Sequence, residues 1–115
     1  MLEVKAGPCS RTNEGGAWWA LWRLRATDEP LQVLEAWLPH DHFHRPRWRF
    51  NPPLVVEDTV LEAEVSCEDR PGSVIENAFL ILRTPEQRFF ARLTVVVDGD
   101  GVPHQRCESV TVQEV

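Results

Sequence analysis

The sequence lacks any apolar run approaching the roughly 18 residues that a membrane-crossing helix needs. Its start, Met1 to Arg11, carries Glu3 and lacks the long apolar stretch of a secretory signal. Cysteine is scarce. Cys9, Cys67 and Cys107 are an odd set without CxxC spacing, which excludes a disulfide framework and leaves room for at most one bridge, Cys9 to Cys107. These shortages point to a cytoplasmic protein that folds without disulfides. Lysine is nearly missing as well: among 12 basic residues only Lys5 is not an arginine. The formal net charge of -6 disfavours diffuse contact with nucleic acid or anionic lipid, although a local basic face remains open to it.

Also lacking is a convincing helix. The 115 residues, 43% hydrophobic and 26% charged, are the length of one domain. The pattern along them is alternation. Leu61, Ala63, Val65 and Cys67 point one way and Val60, Glu62, Glu64 and Ser66 the other, as in a half-buried antiparallel strand. Phe89, Ala91, Leu93, Val95 and Val97 do the same, and Val74–Arg83 is apolar on both faces. In the segment AWWALWRLRAT, Trp18, Ala20, Trp22 and Leu24 form the better core face, against Trp19, Leu21, Arg23 and Arg25. Leu34, Ala36 and Leu38 share a face, with Leu31, Val33, Glu35 and Trp37 on the other. Val110 and Val112 are the expected core positions of the last strand. Turns are marked by Thr27–Pro30, Asp69-Arg70-Pro71-Gly72, Thr84–Gln87 and the DGDG run at Asp98–Gly101. Residues 7–17 read as a loop after a short strand at Leu2–Ala6. Pro39 and Pro46 bracket another loop, and Asn51-Pro52-Pro53 marks an edge or crossover because two ladder donors are missing. The count is about seven to nine short strands, which argues for a sandwich or a barrel; two long, strongly apolar strands in the middle of a sheet suit an antiparallel β-sandwich.

The stretch Leu24–Leu82 resembles immunoglobulin-like domains of the major-sperm-protein and cilia-associated kind. The resemblance rests on the turn Thr27-Asp28-Glu29-Pro30-Leu31, on Pro52-Pro53-Leu54, on the alternating Leu61-Glu62-Ala63-Glu64-Val65, on Pro71-Gly72 and on Ala78-Phe79-Leu80-Ile81-Leu82. Thr27 and Asp28 stand where the pattern has Asn-x-Gly, and Glu57-Asp58 stand where it has a glycine. The resemblance implies an immunoglobulin-like sandwich that serves as a non-enzymatic scaffold or protein-interaction module. It implies no binding site.

Candidate sites come from composition. His40, His42 and His44 alternate with Asp41 and Phe43. On an extended segment the histidines share one face at about 6.5–7 Å spacing. They are the candidate zinc ligands, with Asp41 or a distant His104 or Cys107 completing the set; a plain surface loop is the alternative. Arg45, Arg47 and Arg49 alternate with Pro46, Trp48 and Phe50, so three guanidinium groups on one strand face suit an anion or an acidic protein surface. Trp19 and Trp37 fall on the faces opposite the expected core, where they suit a protein partner or a second copy of the chain. No serine, cysteine and histidine set has a catalytic context. The expectation is therefore a non-catalytic interaction or structural module, with a small zinc-binding domain as the alternative.

Overall fold

A computed structural model describes residues 1–115 as eight strands and no helix: β1 (Leu2–Arg11), β2 (Ala17–Ala26), β3 (Leu31–His40), β4 (Phe43–Val56), β5 (Asp58–Ser66), β6 (Val74–Arg83), β7 (Gln87–Val97) and β8 (Pro103–Glu114). Every pairing is antiparallel, in one sheet of order β1-β2-β5-β4-β3-β6-β7-β8. Its terminal members β1 and β8 lie against each other, so the sheet is nearly closed and barrel-like. Two joins are narrow. β3 and β6 pair only from Glu35–Arg83 to Trp37–Ile81, and β4 touches β5 through the single bridge His44–Ser66.

The alternating patterns explain the inside. A cluster of 23 buried residues includes Trp18, Ala20, Trp22 and Leu24 of β2, Leu61, Ala63 and Val65 of β5, and Phe89, Ala91, Leu93, Val95 and Val97 of β7. Each large side chain so buried contributes about 1.5–3 kcal/mol. The tryptophans bring polar edges with them, and both edges are satisfied. Trp18 Nε1 donates to Cys67 O at 3.0 Å, and Trp22 Nε1 donates to Gln105 Oε1 at 2.7 Å.

Several expected boundaries move. β1 runs on through Gly7 to Arg11 across a bulge between Ala6 and Cys9, where a loop was expected. Glycine permits this, since a Cβ on Gly7 would meet the Leu21 backbone oxygen at 3.0 Å. In β3 a bulge between Val33 and Glu35 resets the alternation, so Val33, Ala36 and Leu38 enter the core and Leu34 does not. The proline-bracketed loop is a tight hairpin turn at Asp41-His42, and Phe43 is fully buried. β4 continues through Pro52 and Pro53; with Pro46, these are missing donors on a strand whose β5 side is almost unpaired. Of the two core positions expected in β8, Val110 packs partly against the core, whereas Val112, opposite Phe89, is 38% exposed and is not a core residue. The DGDG turn closes as expected, with Gly101 at φ +81.

Candidate functional site

Because Ala36, Leu38, Leu80, Leu82, Phe89 and Ala91 fill the core, their chain neighbours point to the opposite side of the sheet. That outer face is not the polar surface an antiparallel sheet ordinarily shows to water. Strand register lays two rows across it. Trp37, Ile81, Phe90 and Thr111 follow one another from β3 to β8. Beside them run Arg49, Glu35, Arg83, Arg88 and Gln113 from β4 to β8. Phe79 extends the apolar row, its ring edge-on to Phe90 at 6.5 Å. Ile81 keeps only 8% of its surface although it stands outside the core cluster. A shallow groove of about 380 Å³ runs over this row, lined by Pro39, Phe79, Ile81, Phe90, Thr111 and Gln113.

The polar row holds the one buried carboxylate of the molecule. Glu35 is 4% exposed. Its oxygens lie 3.6 Å from Arg47 Nη1, 3.5 Å from Arg49 Nε and 3.9 Å from Arg83 Nη1. These distances are those of ion pairs and exceed hydrogen-bond length. Arg47 also stacks over Trp37, its guanidinium carbon 4.1 Å from the ring centroid. Arg88 and Arg92 complete the set and form no ion pair. Five arginines and one glutamate thus share one face of a chain whose formal net charge is -6. A second groove, about 420 Å³, opens between Glu35, Arg49, Phe50, Asn51 and Arg83.

Only part of the arginine triplet read from the sequence comes together. Arg47 and Arg49 stand with Glu35. A bulge between Ala36 and Leu38 turns Arg45 away, to lie 4.4 Å over the Trp48 ring and donate from Nη1 to Glu64 O across the β4–β5 join. Trp19 and Trp37 do not meet. Trp19 is on β2 opposite Glu64, Trp37 is on β3, and β5 and β4 lie between those strands. The histidines are not on one extended face either, because the hairpin turn falls among them. His40 Nδ1 accepts from the His42 backbone N–H at 3.0 Å, His42 Nδ1 lies 2.8 Å from Asp69, and His44 pairs with Pro39 and Ser66. Asp41 is in the turn, and His104 sits on β8 beside Asp98 at 2.7 Å. No group of three or more His, Cys, Asp or Glu side chains converges to hold a metal ion. The three cysteines are free.

Glu35, Arg83, Arg88, Phe79, Ile81 and Phe90 were not singled out from the sequence as site residues. The signal was the two-sided apolarity of Val74–Arg83 and of β3. A strand apolar on both faces has a second face to cover. Comparison of the chain with protein-family models, curated proteins and solved structures gave no match.

Proposed function

We propose that the chain is a non-catalytic protein-interaction module that docks a partner on the outer face of β3, β6 and β7. The partner is a protein segment that presents acidic and apolar side chains together. The carrying observation is the row Trp37–Ile81–Phe90, set on the side of the sheet away from the core and flanked by arginines. Tryptophan and arginine at the centre of a contact are the side chains whose truncation most often costs about 2 kcal/mol or more of binding. The ionisable set suits recognition. It consists of arginines, which stay charged, and one carboxylate already engaged by three of them. Charge complementarity selects an acidic partner and gives it a salt-sensitive on-rate. The immunoglobulin-like reading of the fold belongs to this proposal, since domains of that kind mostly serve as interaction modules. It is favoured by the thin β4–β5 join, which leaves β1-β2-β5 nearly separate along that edge.

The test is binding of an extended labelled peptide alternating Asp or Glu with Phe or Leu, followed by fluorescence anisotropy. Binding is expected at low salt, to weaken as salt rises, and to fall at least tenfold in the Ile81→Ser, Phe90→Ser double variant. Equal binding of a Lys-substituted peptide, or no effect of the double variant, overturns the proposal. A concentration-dependent dimer removed by the same substitutions would replace the foreign partner with a second copy of the chain.

A further inference from the structure

We infer that Arg83 and Arg88 form an oxyanion-binding subsite on this face, taking a carboxylate or phosphoryl group of the docked segment. The inference rests on the docking reading for its biological ligand, while the site itself is tested without a partner.

Arg83 and Arg88 are direct cross-strand partners in the β6–β7 ladder. Like charges directly opposite each other weaken a sheet, and this pair stands on the face away from the core with a single carboxylate near it. Of the two, Glu35 reaches only Arg83, at Nη1 and 3.9 Å. Arg88 has no acidic partner at all. Its other ladder neighbour is the neutral Gln113, and neither Glu86 in the adjoining turn nor Glu114 on β8 pairs with it. In both arginines Nε is buried without a hydrogen-bond partner; Arg45 Nε is the third such atom, but its guanidinium is held apart from this face by Trp48 and Glu64 O. Buried donors without partners are uncommon, and two on adjacent residues of like charge make a consistent deficit: one negative group with several acceptor oxygens. The two grooves flank the pair, one lined by Arg83 and Glu35, the other by Phe90 and Gln113. A segment lying along the apolar row would thus carry an acidic side chain over the arginines. Glu35 then acts as a positioning residue that anchors Arg83 from the β3 side.

Thermal unfolding in phosphate and in chloride at equal ionic strength tests the subsite. Phosphate stabilises many proteins by exclusion from their surface, so the quantity read is the difference between wild type and variant. Wild type is expected to gain about 2–5 °C more from phosphate than Arg88→Gln does, the rise produced by a ligand at several times its Kd. In chloride, Arg88→Gln is expected to melt at or above the wild-type temperature, since one of two opposed charges is gone. An equal phosphate gain in both proteins overturns the inference. Should the variant fold poorly, the Nε–Hε NMR signals of wild-type Arg83 and Arg88 decide it. A saturable shift on phosphate titration supports the subsite, and no shift overturns it. Acidic peptides carrying glutamate or phosphoserine at one position identify the source. A tenfold preference for phosphoserine assigns a phosphoryl ligand, and equal or weaker binding assigns a carboxylate. If the phosphate response persists while the peptides ignore Ile81→Ser with Phe90→Ser, the docking reading fails and the subsite stands.

Discussion

Gln105 of β8 accepts a hydrogen bond from the buried Trp22 indole at 2.7 Å and donates from Nε2 to Gly7 O and Leu21 O. One side chain of the last strand therefore satisfies polar groups of the first two. It does so where β8 meets β1 and the sheet has no continuous ladder. Gln105→Leu keeps the side-chain size and leaves an indole N–H and two carbonyls without this partner. Each buried unsatisfied group costs about 1–3 kcal/mol. Because Gln105 is only half-buried, water recovers part of this. The expected loss is about 2 kcal/mol by urea unfolding, with unchanged m-value.

Acid sensitivity is expected at the β7–β8 turn. The hydrogen bond with His104, then the backbone N–H groups of Val102 and Asp100, hold the Asp98 carboxyl below its ordinary range. A carboxylate with a depressed folded pKa stabilises above its unfolded pKa of about 3.9 and loses that contribution as pH falls through the folded value. Asp98→Asn keeps an acceptor oxygen for the turn and removes the charge. Its melting temperature should fall below wild type at pH 6, and the gap should narrow as pH drops below the unfolded pKa of about 3.9 and through the depressed folded value. A gap that stays constant over that range would assign the effect to turn geometry instead.

Strand placement was readable in the sequence wherever one face is dry. Period-two alternation in β2, β5 and β7 named core residues that are buried, because burial on one face imposes that period. Bulges were not readable. Those after Ala6, Val33 and Ala36 each displace the alternation by local geometry that composition does not mark. This is why Arg45 parts from Arg47 and Arg49, and why Leu34 does not share the buried face of Ala36 and Leu38. The outer face of β3, β6 and β7 was half readable. Two-sided apolarity in Val74–Arg83 showed that a second surface exists, but Glu35, Arg83 and Arg88 become neighbours only through the β3–β6 and β6–β7 registers. Closure of β8 against β1 is a long-range relation with no local signal.

The thiols should be slow. Burial, then the neighbouring Cys67, pushes the Cys9 thiol up to about 12, and burial also raises Cys67 and Cys107. At pH 8 a thiol of pKa near 12 is about 2,000-fold poorer in thiolate than an ordinary one of about 8.5. Cys9 in the native protein is expected to react with Ellman's reagent at least 100-fold more slowly than in urea. The sign for stability follows. A raised folded pKa gives stabilisation that is complete below about 8.5 and is lost as pH climbs toward 12. Rapid labelling of Cys9 at pH 8 would show that β1 opens readily beyond its bulge.

Zinc titration addresses the histidine hairpin. Coordination at about 2.0–2.1 Å through His40 must displace the bond that its Nδ1 accepts from the His42 backbone, whereas the contact of His42 Nδ1 with Asp69 leaves Nε2 open to a metal. Structural zinc sites release about 10–16 kcal/mol on binding, so a genuine one is unmistakable by calorimetry. Tag-free protein is expected to give only weak, substoichiometric heat, and a melting temperature unmoved by chelator. A one-to-one transition removed by His42→Ala would restore the metal-binding reading.

Glu35 decides how firmly the arginines of the outer face are held in place. Removing one member of a fully buried ion pair costs about 3–5 kcal/mol because the other charge is stranded. Here the carboxylate is buried, but Arg47 and Arg49 have side chains 54% and 84% exposed and can turn to water. The expected loss for Glu35→Gln is therefore smaller, about 1–2 kcal/mol. It should also depend on salt. With the carboxylate gone, Arg47, Arg49, Arg83 and Arg88 repel one another unscreened, so the loss should grow as ionic strength falls below 0.1 M, where the Debye length exceeds about 10 Å. Urea unfolding at low and high salt measures both quantities. A salt-independent loss would mean that Glu35 matters for its volume alone, and that the arginines on this face are held by their own strands and not by the carboxylate between them.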